Sequence, residues 1–131
     1  MATIEAALIA ALLADTGVSA LAADRVFVAG GRQGVAYPYV TVQRIATSGA
    51  DYLDGPTNLE WPLFQIDCWS EKALAALAVA EAVRAGIEAV ERTAGGVTFT
   101  ATFQDQRGPA PDEQTRNFRV GQDYHVFYER N

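Results

Sequence analysis

The stretch SEKALAALAVAEAVRAGIEAVERTAGGVTFTATF, residues 70–103, changes its hydrophobic period from helical to extended within one span. Over 71–92, Leu74, Leu77, Ala80, Val83, Ile87 and Val90 recur every three or four residues. Glu81, Arg84, Glu88 and Arg92 take the opposite face as a solvated ladder of charges. Ser70 stands in the N-cap position, and Gly95 with Gly96 stops the pattern. Over 97–103 the period becomes two without exception, with Val97, Phe99, Ala101 and Phe103 set against Thr98, Thr100 and Thr102. That alternation predicts a strand buried on one face and solvated on the other, which belongs to antiparallel sheets.

Working toward the N-terminus, a first helix is expected over 4–14. Thr3 caps it, Glu5 favours the positive end of its dipole, Gly17 lies past its end, and Ile4, Leu8, Ala11 and Leu12 form its apolar stripe. A short helical turn carrying Leu21 is expected over 18–23, and a brief strand over 25–28. The segment AGGRQGVAYP, 29–38, is too rich in glycine for a regular element. Residues 39–45 and 59–69 read as strands, the first with Val40 and Val42 on one face. In the second, Phe64, Ile66 and Cys68 oppose Leu63, Gln65, Asp67 and Trp69, and Pro62 marks an edge or a bulge. The intervening 46–58 reads as a loop or hairpin tip, and 105–114 as a polar, proline-bearing hairpin loop. A long last strand is expected over 116–129, with Phe118, Val120, Tyr124, Val126 and Tyr128 on one face and a bulge or bend at Gly121. The order of elements predicts an α+β fold in which two helices cover one face of a mainly antiparallel sheet, with residues 1–131 as a single domain.

Composition narrows what such a domain does. The 131 residues carry 10 Lys and Arg against 16 Asp and Glu, a net charge of −6, which opposes gripping a DNA duplex. One cysteine and one histidine leave no intrachain disulfide and no Cys- or His-rich metal site, so neither a metal nor a cofactor is expected. No apolar run approaches the ~18 residues needed to span a bilayer. Glu5 also interrupts what would have to be a signal peptide, so a cytoplasmic product without membrane contact is expected. Cys68 falls on the core face, where a free thiol behaves as a small hydrophobe, and His125 falls on the polar face of the last strand. No serine stands in a nucleophile-elbow context, and Gly30, Gly31 and Gly34 lack the lysine and helix that would complete a phosphate loop. Asp51, Asp54 and Glu60 read as solvated loop charges. The chain is therefore not expected to be an enzyme.

Polar loops and aromatic residues remain to be explained. Loops beyond ~12 residues are usually functional or disordered. Tyr37, Tyr39, Tyr52, Trp61 and Trp69 exceed what one core face uses, so they either line a protein interface or build a second layer on the same core.

Over nearly its whole length the chain resembles the tail completion, or tail terminator, proteins of long-tailed bacteriophages and gene transfer agents. The resemblance rests on an amphipathic first helix leading to GVSALAADRVF (17–27), then YPYVTVQRI (37–45) and YLDGPTNLEWPLFQIDCWS (52–70). The helix EKALAALAVAEAVRAGIE (71–88) and the closing NFRVGQDYHVFYER (117–130) follow in the same order and spacing. It implies an α+β subunit of a hexameric ring at the head-proximal end of the tail tube, in the particle's neck, assembled in the host cytoplasm. Such a ring ends tube polymerisation and joins tail to head. The partners it implies are copies of the chain itself, the major tail tube protein, and a head-completion or stopper protein. DNA would pass through the lumen without being read, and an acidic wall would keep it from adhering. Contacts are expected from 29–34 and the two hairpin loops, with Arg32, Tyr52, Asp54 and Arg107 as anchors. Charge reversal at Arg32 or Arg107 is expected to impair assembly without unfolding the domain, as checked by particle counts and thermal melts. Two other readings stay open: another neck component such as a stopper, or a small dimeric enzyme or ligand-binding domain using Gln65, Asp67, Arg119 and His125.

Overall fold

A computed structural model of the chain describes residues 3–28, 34–47, 49–52, 55–88, 91–111 and 117–129. The fold is α+β, as expected. Helix α1 spans Ile4–Ala14, and the Thr3 hydroxyl accepts from the Ala6 amide at 3.1 Å. Ile4, Ala7, Leu8, Ala11 and Leu12 are its buried face. Asp15, not Gly17, ends it. The Asp15 amide donates to the Ala11 and Leu12 carbonyls, while its carboxylate caps α2 (Thr16–Ala22) by accepting from the Val18 amide at 3.0 Å. One residue thus closes one helix and opens the next across an 83° bend.

Among the described residues eight strands form one sheet: β1 (Val26–Val28), β2 (Tyr39–Ala46), β3 (Gly49–Tyr52), β4 (Gly55–Glu60), β5 (Leu63–Ser70), β6 (Glu91–Ala94), β7 (Val97–Pro111) and β8 (Phe118–Glu129). The order runs β1-β2-β5-β8. Along its other edge β8 is lined throughout by β7, which carries β6, and beyond β5 its last residues pair with the β3–β4 hairpin. Among the described strands β1 with β2 is the parallel pair, and an isolated bridge between Glu88 and Ala101 is parallel too. β5 is central, not an edge: Pro62 precedes it, and the Pro62 carbonyl accepts from the Val126 amide at 3.0 Å.

Helix α3 (Ala73–Ile87) and α1 cover one face of the sheet. Leu8, Leu12, Val79, Val83 and Ile87 meet Val42, Phe64, Ile66, Phe99, Tyr124 and Val126 in a single apolar cluster. α3 turns its small side chains, Ala76 and Ala80, to the sheet and leaves Leu74 79% exposed, so the stripe expected from the sequence is rotated. Gly86 lies on the packed face because a Cβ there would come within 2.8 Å of the Asp15 carboxyl carbon. Arg44 on β2 ties α1 down with two hydrogen bonds to Glu5, at 2.9 and 3.1 Å.

Two segments differ from the sequence expectation. The helix stops at Ile87, and 91–94 is strand β6, hairpinned to β7 across Gly95 and Gly96 at φ 57° and 80°. Positive φ at both central residues defines the hairpin turn whose twist matches paired strands, so the two glycines join strands instead of ending a helix. Val90 lies outside the described residues. In the second segment, 105–111 extends β7 and is not loop. Pairing with β8 shifts between Phe103 and Asp105 and again between Arg107 and Ala110, so the bulges sit on β7. Gly121 is regularly paired, opposite Arg107 and Asp67.

Candidate functional site

The sheet face turned away from the helices is built by the alternate residues of β5 and β8. Successive rungs are Trp69 beside Arg119, Asp67 beside Gly121, Gln65 beside Asp123, and Leu63 beside His125. At one end the Tyr39 and Trp69 rings stack with centroids 5.8 Å apart, Tyr37 lies 5.3 Å from Tyr39, and the Trp69 indole donates to the Thr41 hydroxyl at 3.0 Å. Arg25 donates to the Pro38 carbonyl and Asn117 to the Tyr37 hydroxyl. Tyr39 and Trp69 are buried, so these two form a second core layer, while Tyr37 and Trp61 are half-buried. The other end is apolar and open: Ile45, Leu59 and Phe127 are exposed, and the Trp61 ring lies 6.1 Å from Phe127.

Between the two ends lies a charged cluster. Asp67 is 3% exposed, and its carboxylate accepts from the Gln65 amide at 2.9 and 3.0 Å. Gly121 makes room for it, since a Cβ there would stand 3.0 Å from Asp67 Oδ1 and 3.3 Å from Arg107 Nη2. Burial pushes the Asp67 carboxyl above the usual carboxylate range, against the opposing hydrogen bond from Gln65 and the charges of Arg119 and Arg107. Because the folded state holds this proton more tightly than the unfolded chain, the group's contribution to stability falls as pH rises through the range above its ordinary pKa. Asp67→Asn, which keeps an acceptor for Gln65, is therefore expected to stabilise the fold at pH 7. The gain should fade as pH falls toward about 4, the ordinary pKa of aspartate, and be gone below it, in urea melts run across pH.

Arg107 is exposed and held in place by a bidentate pair with Asp123 at 2.8 and 3.0 Å, with Asp105 at 3.6 Å. Hydrogen bonding to Asp123 raises its pKa further. An exposed pair of this kind contributes at most about 1 kcal/mol to folding. Tyr52 closes β3 opposite Gly55. Arg32 and Asp54 lie outside the described residues. Of the four residues considered as a pocket, Gln65 and Asp67 touch and Arg119 stands one rung beyond. His125 is six residues from Arg119 along β8, about 20 Å at the rise of a strand. Its Nδ1 pairs with the Trp61 carbonyl at 3.2 Å, which requires the proton on that nitrogen. The four therefore do not converge. Among the described residues no group of three His, Cys, Asp or Glu could hold a metal ion. Nor is any single helix among them long and apolar enough to cross a membrane.

Gln122 is a residue the sequence reading passed over. It is fully buried on the helix side of β8, between Val120 and Tyr124, and its alternation with them was the available signal.

Stacked aromatics, a buried carboxylate and a bidentate ion pair thus share the sheet face turned away from the helices. The family is specific: residues 6–129 match tail completion protein gp17, and the chain belongs to that family of tail structural proteins. No curated protein matches the sequence. A chain in the solved structure titled "Virion of native gene transfer agent (GTA) particle" superimposes with a TM-score of 0.75 at 18% identity. The match covers 96% of this chain and 94% of that one, which establishes a shared fold.

Proposed function

We propose that this chain, as a single domain, forms a six-fold ring at the head-proximal end of a phage or gene-transfer-agent tail tube. There it ends tube polymerisation and joins the tail to the head. The observation that carries this reading is membership of the tail completion family over residues 6–129. The role is structural and non-enzymatic. Its partners are further copies of itself, the major tail tube protein and a head-completion or stopper protein.

The mechanism is geometric. A ring with two unlike faces accepts the last tube ring on one side, and its other face lacks the surface for further tube subunits, so growth stops. The hairpin arms and 29–34 carry the contacts, with Arg32, Tyr52, Asp54 and Arg107 as anchors. A net charge of −6 favours a lumen through which DNA slides without adhering. Assembly takes place in the host cytoplasm, and the protein ends in the particle's neck. A peptide-tagged copy located by electron microscopy of particles tests this. Label at the neck with six-fold density is the expected result, and label at the tail tip or on the head shell would contradict it.

A further inference from the structure

The β3–β4 hairpin belongs to the most one-sided stretch of charge in the chain. Between Arg44 and Lys72 there is no basic residue, and the hairpin carries Asp51, Asp54 and Glu60. Among the described residues it pairs with the rest of the sheet at Leu59 with Glu129 and Glu60 with Tyr128, at the C-terminal end of β8. Glu60, at its root, accepts a hydrogen bond from the Tyr128 hydroxyl at 2.7 Å.

The opposite end of β8 carries the complement. Arg119 is exposed and, among the described residues, makes no hydrogen bond or ion pair; its guanidinium carbon stands 5.5 Å from the centre of the Trp69 ring. Arg107, by contrast, is balanced by Asp123 and Asp105, and Asp67 is buried beneath Gly121. Among the described residues Arg119 is therefore the guanidinium of this surface that no carboxylate pairs directly, although its charge acts on the buried Asp67. It borders a concavity of about 110 Å³ together with Gln65, Arg107, Gly108, Ala110 and Gly121. That volume equals the share of only a few water molecules, which suits the tip of one carboxylate side chain and is too small for a metabolite.

The two ends, Arg119 and Glu129, are ten residues apart along β8, about 33 Å. A body with an acidic arm at one end and the Arg119 guanidinium at the other complements a second copy head to tail. Head-to-tail contact is the heterologous geometry that closes into rings. We propose that the acidic β3–β4 hairpin of one copy seats in the Arg119 concavity of the next, and that this contact repeats around the ring. The inference rests on the ring reading above and adds to it the residues that join neighbours.

The test uses assembled particles carrying Thr57→Cys in the hairpin and Ala110→Cys beside the concavity, treated with a bismaleimide; the native Cys68 is fully buried. A ladder of covalent multimers is expected from the double variant and from neither single one. Arg119→Glu is expected to cut the ladder and the yield of tailed particles at least tenfold. Adding Asp51→Arg and Asp54→Arg is expected to restore both to within threefold. Neck rings visible in micrographs without any ladder, or an Arg119→Glu ladder within twofold of the parent, would overturn this contact and leave the ring standing. A cross-link to another tail protein in place of self would overturn it too. Absence of a neck ring in the parent particle would remove the ring and this contact together. Should Arg119→Glu fail to fold, the ladder of the two-cysteine chain decides.

Discussion

Gln122→Ala is expected to lower the unfolding free energy by about 3–4 kcal/mol, the range set by a buried polar node that leaves both a cavity and unmatched partners. The Gln122 side chain is wholly inside the protein. Its amide donates to the Ala80 carbonyl of α3 at 3.0 Å and to the Gln106 side chain of β7 at 2.9 Å, and its oxygen accepts from the Tyr124 hydroxyl at 2.8 Å. Helix, central strand and the β7 arm thus meet at one residue. Alanine removes all three bonds and strands the Tyr124 hydroxyl, already so deeply buried that its ionisation is pushed well above the ordinary tyrosine range. Gln122→Leu with Tyr124→Phe fills the space and removes the stranded hydroxyl, so the pair should recover roughly 1–2 kcal/mol relative to Gln122→Ala. Urea titrations read both, as a shift of midpoint at constant slope. A loss below 1 kcal/mol for Gln122→Ala would mean the network does not hold α3 to the sheet.

Gly108→Val is expected to cost about 3 kcal/mol, or to detach the end of the β7 arm. Gly108 has φ +95°, and a Cβ there would stand 2.5 Å from the Arg119 carbonyl oxygen and 3.0 Å from the Ala110 nitrogen. Both neighbours are backbone and cannot swing aside. Gly96 supplies the control: it also has positive φ, at +80°, but nothing lies within 4 Å of its Cβ position. Gly96→Ala should therefore cost only the conformational strain, about 1–2 kcal/mol. Thermal melts compare the two, and hydrogen exchange over 104–111 and 118–122 tells local detachment from global loss. Equal costs would contradict the close approach at Gly108. Because Gly108 lines the concavity beside Arg119, its variant should also depress assembly.

Where local period alone decides structure, the sequence was readable. The strict alternation over 97–103 and the stripe and cap of α1 needed no long-range information, and both stand as read. Helix α3 lies inside the expected 71–92 but is shorter and rotated: it starts at Ala73 after Lys72, with Ser70 ending β5 and not capping the helix, and it stops at Ile87. Packing against α2, with Gly86 close to Asp15, favours the alanine face over the bulkier Leu74, and a stripe drawn through the largest apolar residues misses that. Strand β6 was hidden because EAVER continues a helical charge pattern, although Gly95-Gly96 before VTFTATF is also a hairpin signal. The second half of β7 was hidden by its own bulges. Each register shift breaks the period-two pattern, so Asp105 to Pro111 looked like polar loop.

The site was legible in part. Composition shows the charges carried by 46–58 and 105–114, which read as loops, but not how those charges are spent. That Arg107 is matched by Asp123, sixteen residues away, and that Arg119 is not, depends on strand pairing. The gathering of Gln65, Asp67, Arg119 and His125 on one face was read correctly from parity. Parity says nothing of distance along the strand, and so could not show that His125 stands apart with Trp61 and Phe127.

The measurement that bears most directly on tube termination and head joining is negative-stain microscopy of particles from a strain lacking this gene. Filled heads without tails, beside tubes of uncontrolled length, are the expected result. Tailed particles of normal length and number would contradict it.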